Sequence, residues 1–222
     1  MKKYIAILAA AALALSLTAC STDGGKTSNT DSKQSSLSGN DSKTSDSAVT
    51  KTPEPKEAEA AIAKALGDGY YCTVDVPDDE VNLSCLGRLD LTKVESYIVK
   101  QTTVPSVQLD CVAVVKCKSG YADEAVNALN EYYAQTIGYI RQYPFDVAKV
   151  EGARIFKSGD VVMYIVAGAS ADESASEEEA AKLAAEYKKV DAAVKELFGT
   201  LPENLAVIPE DSGDNGGLLI GG

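Results

Sequence analysis

Val107-Gln108-Leu109-Asp110-Cys111-Val112-Ala113-Val114-Val115-Lys116-Cys117-Lys118 reads as a β-strand that is apolar on both faces. Leu109, Cys111, Ala113, Val115 and Cys117 fall on one face, and Val112 and Val114 on the other. A strand with one wet face alternates apolar and polar residues. This run does not, so it belongs in the middle of a sheet. Ser119-Gly120 breaks it.

A long amphipathic helix follows from about Ala122 to Gln142. Ala122, Ala125, Val126, Leu129, Tyr132, Tyr133, Ile137 and Ile140 recur at helical spacing. Asp123 and Glu124 suit its N-terminus electrostatically, and Tyr143-Pro144 ends it. Ala153–Lys157 and Asp160–Ala167 then read as a hairpin across Ser158-Gly159. Ser176-x-x-Glu179 is a capping box that opens a last helix to about Phe198. Its apolar stripe is Ala180, Leu183, Ala184, Tyr187, Val190, Val194 and Leu197. Upstream, Glu57–Leu66 reads as a short helix ended by Gly67, and Tyr70–Val76 and Tyr97–Thr102 as strands. Asp90–Val94 reads as a turn or short helix. The expected fold is α+β: a mainly antiparallel sheet with helices packed on one face, a single domain over residues 57–209.

Val94-Glu95-Ser96-Tyr97-Ile98-Val99, the strand to Lys118 and Gly120-Tyr121-Ala122-Asp123-Glu124-Ala125-Val126 occur in a characteristic order. Gly138-Tyr139-Ile140-Arg141-Gln142-Tyr143-Pro144 and Lys157-Ser158-Gly159-Asp160 through Val166 continue it. This order resembles the DUF4358 family of small lipoproteins from Gram-positive bacteria. The resemblance implies the fold unit and a lipoprotein address. It brings no active site, and the domain cysteines are not part of the family pattern.

The N-terminus independently gives the same address. Lys2 and Lys3 precede an apolar run from Tyr4 to Leu17. That is the plan of a secretory signal, over residues 1–19, and the run is shorter than the roughly 20 residues of a spanning helix. Leu17-Thr18-Ala19-Cys20 resembles the lipobox of bacterial lipoproteins. The resemblance implies that Cys20 becomes the lipidated first residue of the mature chain. Two acyl chains suffice for stable anchoring. Residues 20–56 read as a disordered tether, with 14 Ser or Thr among residues 21–50. A flexible chain of that length spans roughly 30–36 Å. Residues 210–222 read as a flexible Gly-rich tail. The expected location is the outer face of the cell membrane.

Composition narrows the function. The net charge of −12 disfavours nucleic acid as a partner. The absence of His removes the usual acid–base group near neutral pH and the commonest metal ligand. No metal or cofactor motif is present. The acidic loops Asp75/Asp78/Asp79/Glu80 and Asp211/Asp214/Asn215 lack the ligand spacing of an EF-hand. Serines lack a His base or a Gly-x-Ser-x-Gly elbow.

Cys72, Cys85, Cys111 and Cys117 remain in the domain, an even number, as disulfides in an exported chain require. Cys111 and Cys117 lie roughly 20 Å apart along one strand, beyond the about 7 Å that a bridge spans between Cα atoms. The open pairings are Cys72–Cys111 with Cys85–Cys117, or Cys72–Cys117 with Cys85–Cys111. Four buried free thiols are the other reading. Tyr132, Tyr139 and Tyr143 with Arg141 mark a candidate ligand groove, for Tyr stacks on ligands and Arg holds carboxylates. The leading expectation is a lipid-anchored binding domain for a protein partner or small ligand, rather than an enzyme. An envelope hydrolase using carboxylates and a thiol-redox lipoprotein are the alternatives.

The lipobox reading predicts that Cys20→Ala halts processing, so the variant runs at precursor mass and incorporates no radiolabelled fatty acid. A variant of mature mass, still in the membrane fraction, contradicts it.

Overall fold

The computed structural model describes residues 52–105, 108–144, 146–171 and 175–210. The signal segment, Cys20, the tether as far as Lys51 and the tail from residue 211 lie outside the described residues.

The first helix, α1, runs Pro55–Leu66, two residues earlier than the sequence suggests. Pro suits a first helical turn because its missing N–H has no partner there anyway. Strand β1 is only Val74–Asp75. A 3₁₀ turn at Leu91–Lys93, capped by Asp90 Oδ1 accepting from the Thr92 amide, leads into β2, Val94–Gln101. Strand β3, Cys111–Cys117, is the core of the opening stretch. Helix α2 spans Ala122–Gln142. A short helix, α3, spans Val147–Glu151 and has no counterpart in the sequence reading. Strands β4, Arg154–Ser158, and β5, Val161–Val166, form the expected hairpin. Its two-residue loop opens on Gly159 at φ +58°, as primed hairpin turns demand. Helix α4, Glu177–Phe198, starts at the capping box: Ser176 Oγ accepts from the Glu179 amide and Glu179 accepts from the Ser176 amide.

The five strands form one antiparallel sheet in the order β1-β2-β3-β5-β4. The α+β class and the antiparallel sheet stand as expected. Helices on one face do not: they cover both. Ala113, Val115, Val162 and Tyr164 pack with the α2 residues Leu129, Tyr133 and Ile137. Val112, Val114, Met163 and Ile165 pack with Ile62 of α1 and Val190 and Val194 of α4. The reason lies in the central strands. β5 is buried along its whole length, and Cys111–Val115 of β3 is buried without a break. An antiparallel sheet usually leaves one face to water, but these strands offer none that is polar. Burial also revises the α4 stripe, for Glu186 is buried while Ala180 and Ala184 are exposed.

Five residues are too few to hold a helix by themselves; tertiary bonds fix α3. The Tyr133 hydroxyl of α2 donates to the Val150 carbonyl at 3.0 Å, and the Tyr187 hydroxyl of α4 donates to the Lys149 carbonyl at 2.7 Å. Lys149 Nζ donates to Asp110 Oδ2 at 2.8 Å and to Asp146 Oδ2 at 3.1 Å, and its side chain is fully buried. Asp110 Oδ1 accepts from the Gly168 amide at 3.2 Å. The cluster thus joins the entry to β3, the α3 helix and the exit from β5. Gly168 is at φ +117°, where a side chain is strained, and a Cβ there would lie 2.8 Å from Glu186 Oε2. Burial pushes the Asp110 carboxyl above its ordinary range, against the pull of Lys149.

Removing Lys149 leaves two buried carboxylates facing each other; removing the Asp110 charge leaves Lys149 paired with Asp146. Lys149→Met is therefore expected to cost ~3–5 kcal/mol in urea unfolding, and Asp110→Asn, which keeps an acceptor for Gly168, distinctly less. Asp110 binds its proton more tightly folded than unfolded. Its stabilising contribution is fullest below the unfolded value of about 4 and is lost as the pH rises through the folded value. Wild type should lose stability relative to Asp110→Asn as the pH rises from 4. Equal costs for both variants, or no pH dependence in their difference, contradict this account.

Candidate functional site

Helices α1 and α4 lie side by side on one face of the sheet, and a groove of about 690 Å³ opens along their outer surfaces. Ala61 and Ala65 of α1 face Ala192 and Ala193 of α4, and Pro53 and Leu197 also line the groove. Glu57 and Lys64 stand on one rim, and Lys189 and Glu196 on the other. The hollow follows from local sequence. Ala58, Ile62 and Leu66 turn the large side of α1 inward, and Val190 and Val194 do the same for α4. The outward positions between them are mostly Ala, too small to fill the space between two helices.

The tyrosine groove expected from sequence does not form. Tyr132, Tyr139 and Tyr143 share one helical face at spacings of seven and four, but that face is covered at one end and open at the other. Tyr132 packs edge-on against Tyr164 of the sheet, ring centroids 5.7 Å apart, and burial pushes its hydroxyl above the ordinary tyrosine range. Tyr139 and Tyr143 are exposed and pack on each other at 5.2 Å. Arg141 is two residues from Tyr139, so it points to the far side of α2. There Nη2 donates to the Pro209 carbonyl at 2.9 Å.

Arg141 thereby belongs to a strap formed by residues 201–210. Asn130 Nδ2 donates to the Leu205 carbonyl at 3.0 Å, and Asn130 Oδ1 accepts from the Val207 amide at 2.8 Å. The Leu205 amide donates to the Ile155 carbonyl at 2.7 Å, and the Ile155 amide donates to Asn204 Oδ1 at 2.9 Å. The strap covers the free edge of β4, a surface that otherwise invites another strand.

Cys72, Cys85, Cys111 and Cys117 are free and buried. Strand register excludes both two-bridge pairings. Cys111 pairs with Gln101 at one end of the sheet and Cys117 with Val94 at the other. Cys72 precedes Val74, which pairs with Gln101, so it lies at the Cys111 end, far from Cys117. Cys85 lies beside Cys111, the sulfurs 3.6 Å apart, and so is equally far from Cys117. Burial pushes the Cys72 thiol up and the Cys117 thiol up to about 11. The hydrogen bond with Cys85, then burial, raises Cys111. Reactive thiols are shifted the other way. Two carboxylates do converge, Asp110 and Asp146, yet they are 1% and 5% exposed and salt-bridged by a buried Lys, so a substrate does not reach them. Sequence reasoning passed over Lys149 and Asp146. Asp110, the one carboxylate inside the apolar opening stretch, was the available signal.

No protein-family model, curated protein or solved structure matches this chain.

Asn130→Ala removes two strap bonds and is expected to cost ~1–2 kcal/mol and to speed proteolysis near Val207. Arg141→Ala, at an exposed position, should stay within ~0.5 kcal/mol of wild type. If Arg141→Ala proves the more damaging of the two in thermal unfolding and proteolysis, this assignment of the strap is wrong.

Proposed function

We propose that the chain is a lipid-anchored binding domain on the outer face of the cell membrane, and that the groove between α1 and α4 receives a segment of a protein partner. The groove carries this reading. Its floor is formed by Ala side chains, which let another backbone approach closely, and its rim holds charges of both signs on each side. A rim of mixed charge matches a polypeptide better than it matches a uniformly charged small ligand. From Glu57 to Ala65 the α1 side is about 12 Å long, room for two turns of a docked helix. Helix-in-groove binding reads the partner by a few apolar residues at helical spacing.

The address rests on the Leu17–Cys20 sequence, and the resemblance to DUF4358 lipoproteins agrees with it. Pro53, where the tether joins the domain, lines the groove. The acidic charge of the chain is consistent with a protein partner and disfavours nucleic acid. The sealed carboxylates and the raised thiols favour binding over the hydrolase and redox alternatives.

The test is crosslinking of the full-length anchored protein in intact cells, beside Ala61→Trp and Ala193→Trp. Both substitutions fill the groove at half-buried positions and should leave the Tm within a few degrees. The expected result is a reproducible crosslinked partner with wild type that falls at least ~10-fold with either variant, as a lost core contact of ~1.4 kcal/mol or more requires. Capture that survives both variants, or no partner with wild type, contradicts the reading.

A further inference from the structure

Cys85 and Cys111 come from segments 26 residues apart, and their sulfurs touch at 3.6 Å. Each is held by a rigid support. Cys111 opens β3 and is paired on both sides, with Gln101 of β2 and Val166 of β5. Cys85 sits in a run of tight turns between Pro77 and Asp90 that contains no strand or α-helix. That run is fixed around Cys85. Ser84 Oγ donates to the Val81 carbonyl at 2.7 Å and accepts from the Leu86 amide at 3.2 Å. Gly87 backs so closely on Asn82 that a Cβ there would lie 2.1 Å from its carbonyl oxygen. Val81, Cys85, Leu86 and Leu89 are the buried anchors of the run, while Leu83 between them is 86% exposed.

We propose that Cys85 and Cys111 form one disulfide, stapling the 77–90 turns to the central strand, and that Cys72 and Cys117 remain thiols. Closure draws the sulfurs together by about 1.5 Å, to the usual S–S length of about 2.05 Å. The oxidant is a second disulfide, small-molecule or protein. One cysteine, as thiolate, attacks that disulfide and releases one donor thiolate. The other then attacks the mixed disulfide and releases the second. Two electrons and two protons pass to the donor, which leaves as two thiols. Both sulfurs are sealed in the folded domain, so the exchange runs while the 77–90 turns are open or the chain is folding. Cys72 has no such partner: it packs on the α1/α4 face of the sheet, whereas Cys85 and Cys111 belong to the α2 face. Cys117 lies at the opposite end of β3. The proposal stands on geometry alone.

The experiment refolds the reduced, denatured full-length chain in a mixture of oxidised and reduced glutathione, blocks thiols with maleimide in denaturant, and maps the digest by mass spectrometry. The expected product is a linked Cys85–Cys111 peptide pair, lighter by two hydrogens, with maleimide on Cys72 and Cys117. Its Tm should fall by roughly 5–10 °C on reduction. Cys85→Ser should yield no intramolecular bridge. Maleimide on both Cys85 and Cys111 of refolded wild type, or a bridge to Cys20, Cys72 or Cys117, overturns the proposal.

Discussion

A single buried ammonium, Lys149 Nζ between Asp110 and Asp146, closes the structure. Taking three charges out of water is expensive, and their attraction repays it only with good geometry and further hydrogen bonds. Here the geometry is supplied from every layer. Asp110 comes from the entry to β3, the Gly168 amide from the exit of β5, and the Lys149 backbone is held by a tyrosine of α4. Tyr133 of α2 binds the next carbonyl along. The two helical layers lie on opposite faces of the sheet, and α3 bonds to both of them at its end. A cluster of this kind adds little net stability against an apolar replacement of all its members. What it supplies is a single permitted arrangement, since any other leaves a charge unpaired in the interior.

Much of this fold is legible in the residues. The two-faced apolar strand, the α2 stripe, the Gly159 hairpin and the Ser176–Glu179 box are local patterns and all form, though the strand starts at Cys111 rather than Val107 and the hairpin loop is Gly159-Asp160 rather than Ser158-Gly159. What escaped is non-local. The Val161–Val166 run is apolar throughout, and taken with Val112 and Val114 it already demands a second helical layer. Helix α3 has no periodicity to detect in five residues and exists because Tyr133, Tyr187 and Lys149 hold it. Strand β1 is shorter than its alternation suggests because only Val74 and Asp75 find partners on β2.

The candidate site was less legible. Ala61 and Ala65 are unremarkable on α1, as are Ala192 and Ala193 on α4. They make a groove only once the tertiary fold sets those helices side by side. The tyrosines misled for the converse reason. Their spacing on α2 is regular, but the sheet covers Tyr132 and leaves Tyr139 and Tyr143 in water. Arg141, placed near a helix end as a ligand-binding Arg often is, holds the chain's own backbone instead. The end with Lys149 is locked and sealed, the β4 edge is covered by the strap, and the groove between α1 and α4 is left open.

The central claim is that the Lys149 cluster makes α3 and the 167–171 segment part of the cooperative core. Native-state hydrogen exchange tests it most directly, at the amides of Gly168, which donates to Asp110, and Ala148, which donates to the Ala171 carbonyl. The account predicts that both exchange only with global unfolding, at the same free energy as the β5 amides. Exchange of either amide through a local opening well below that free energy would contradict it.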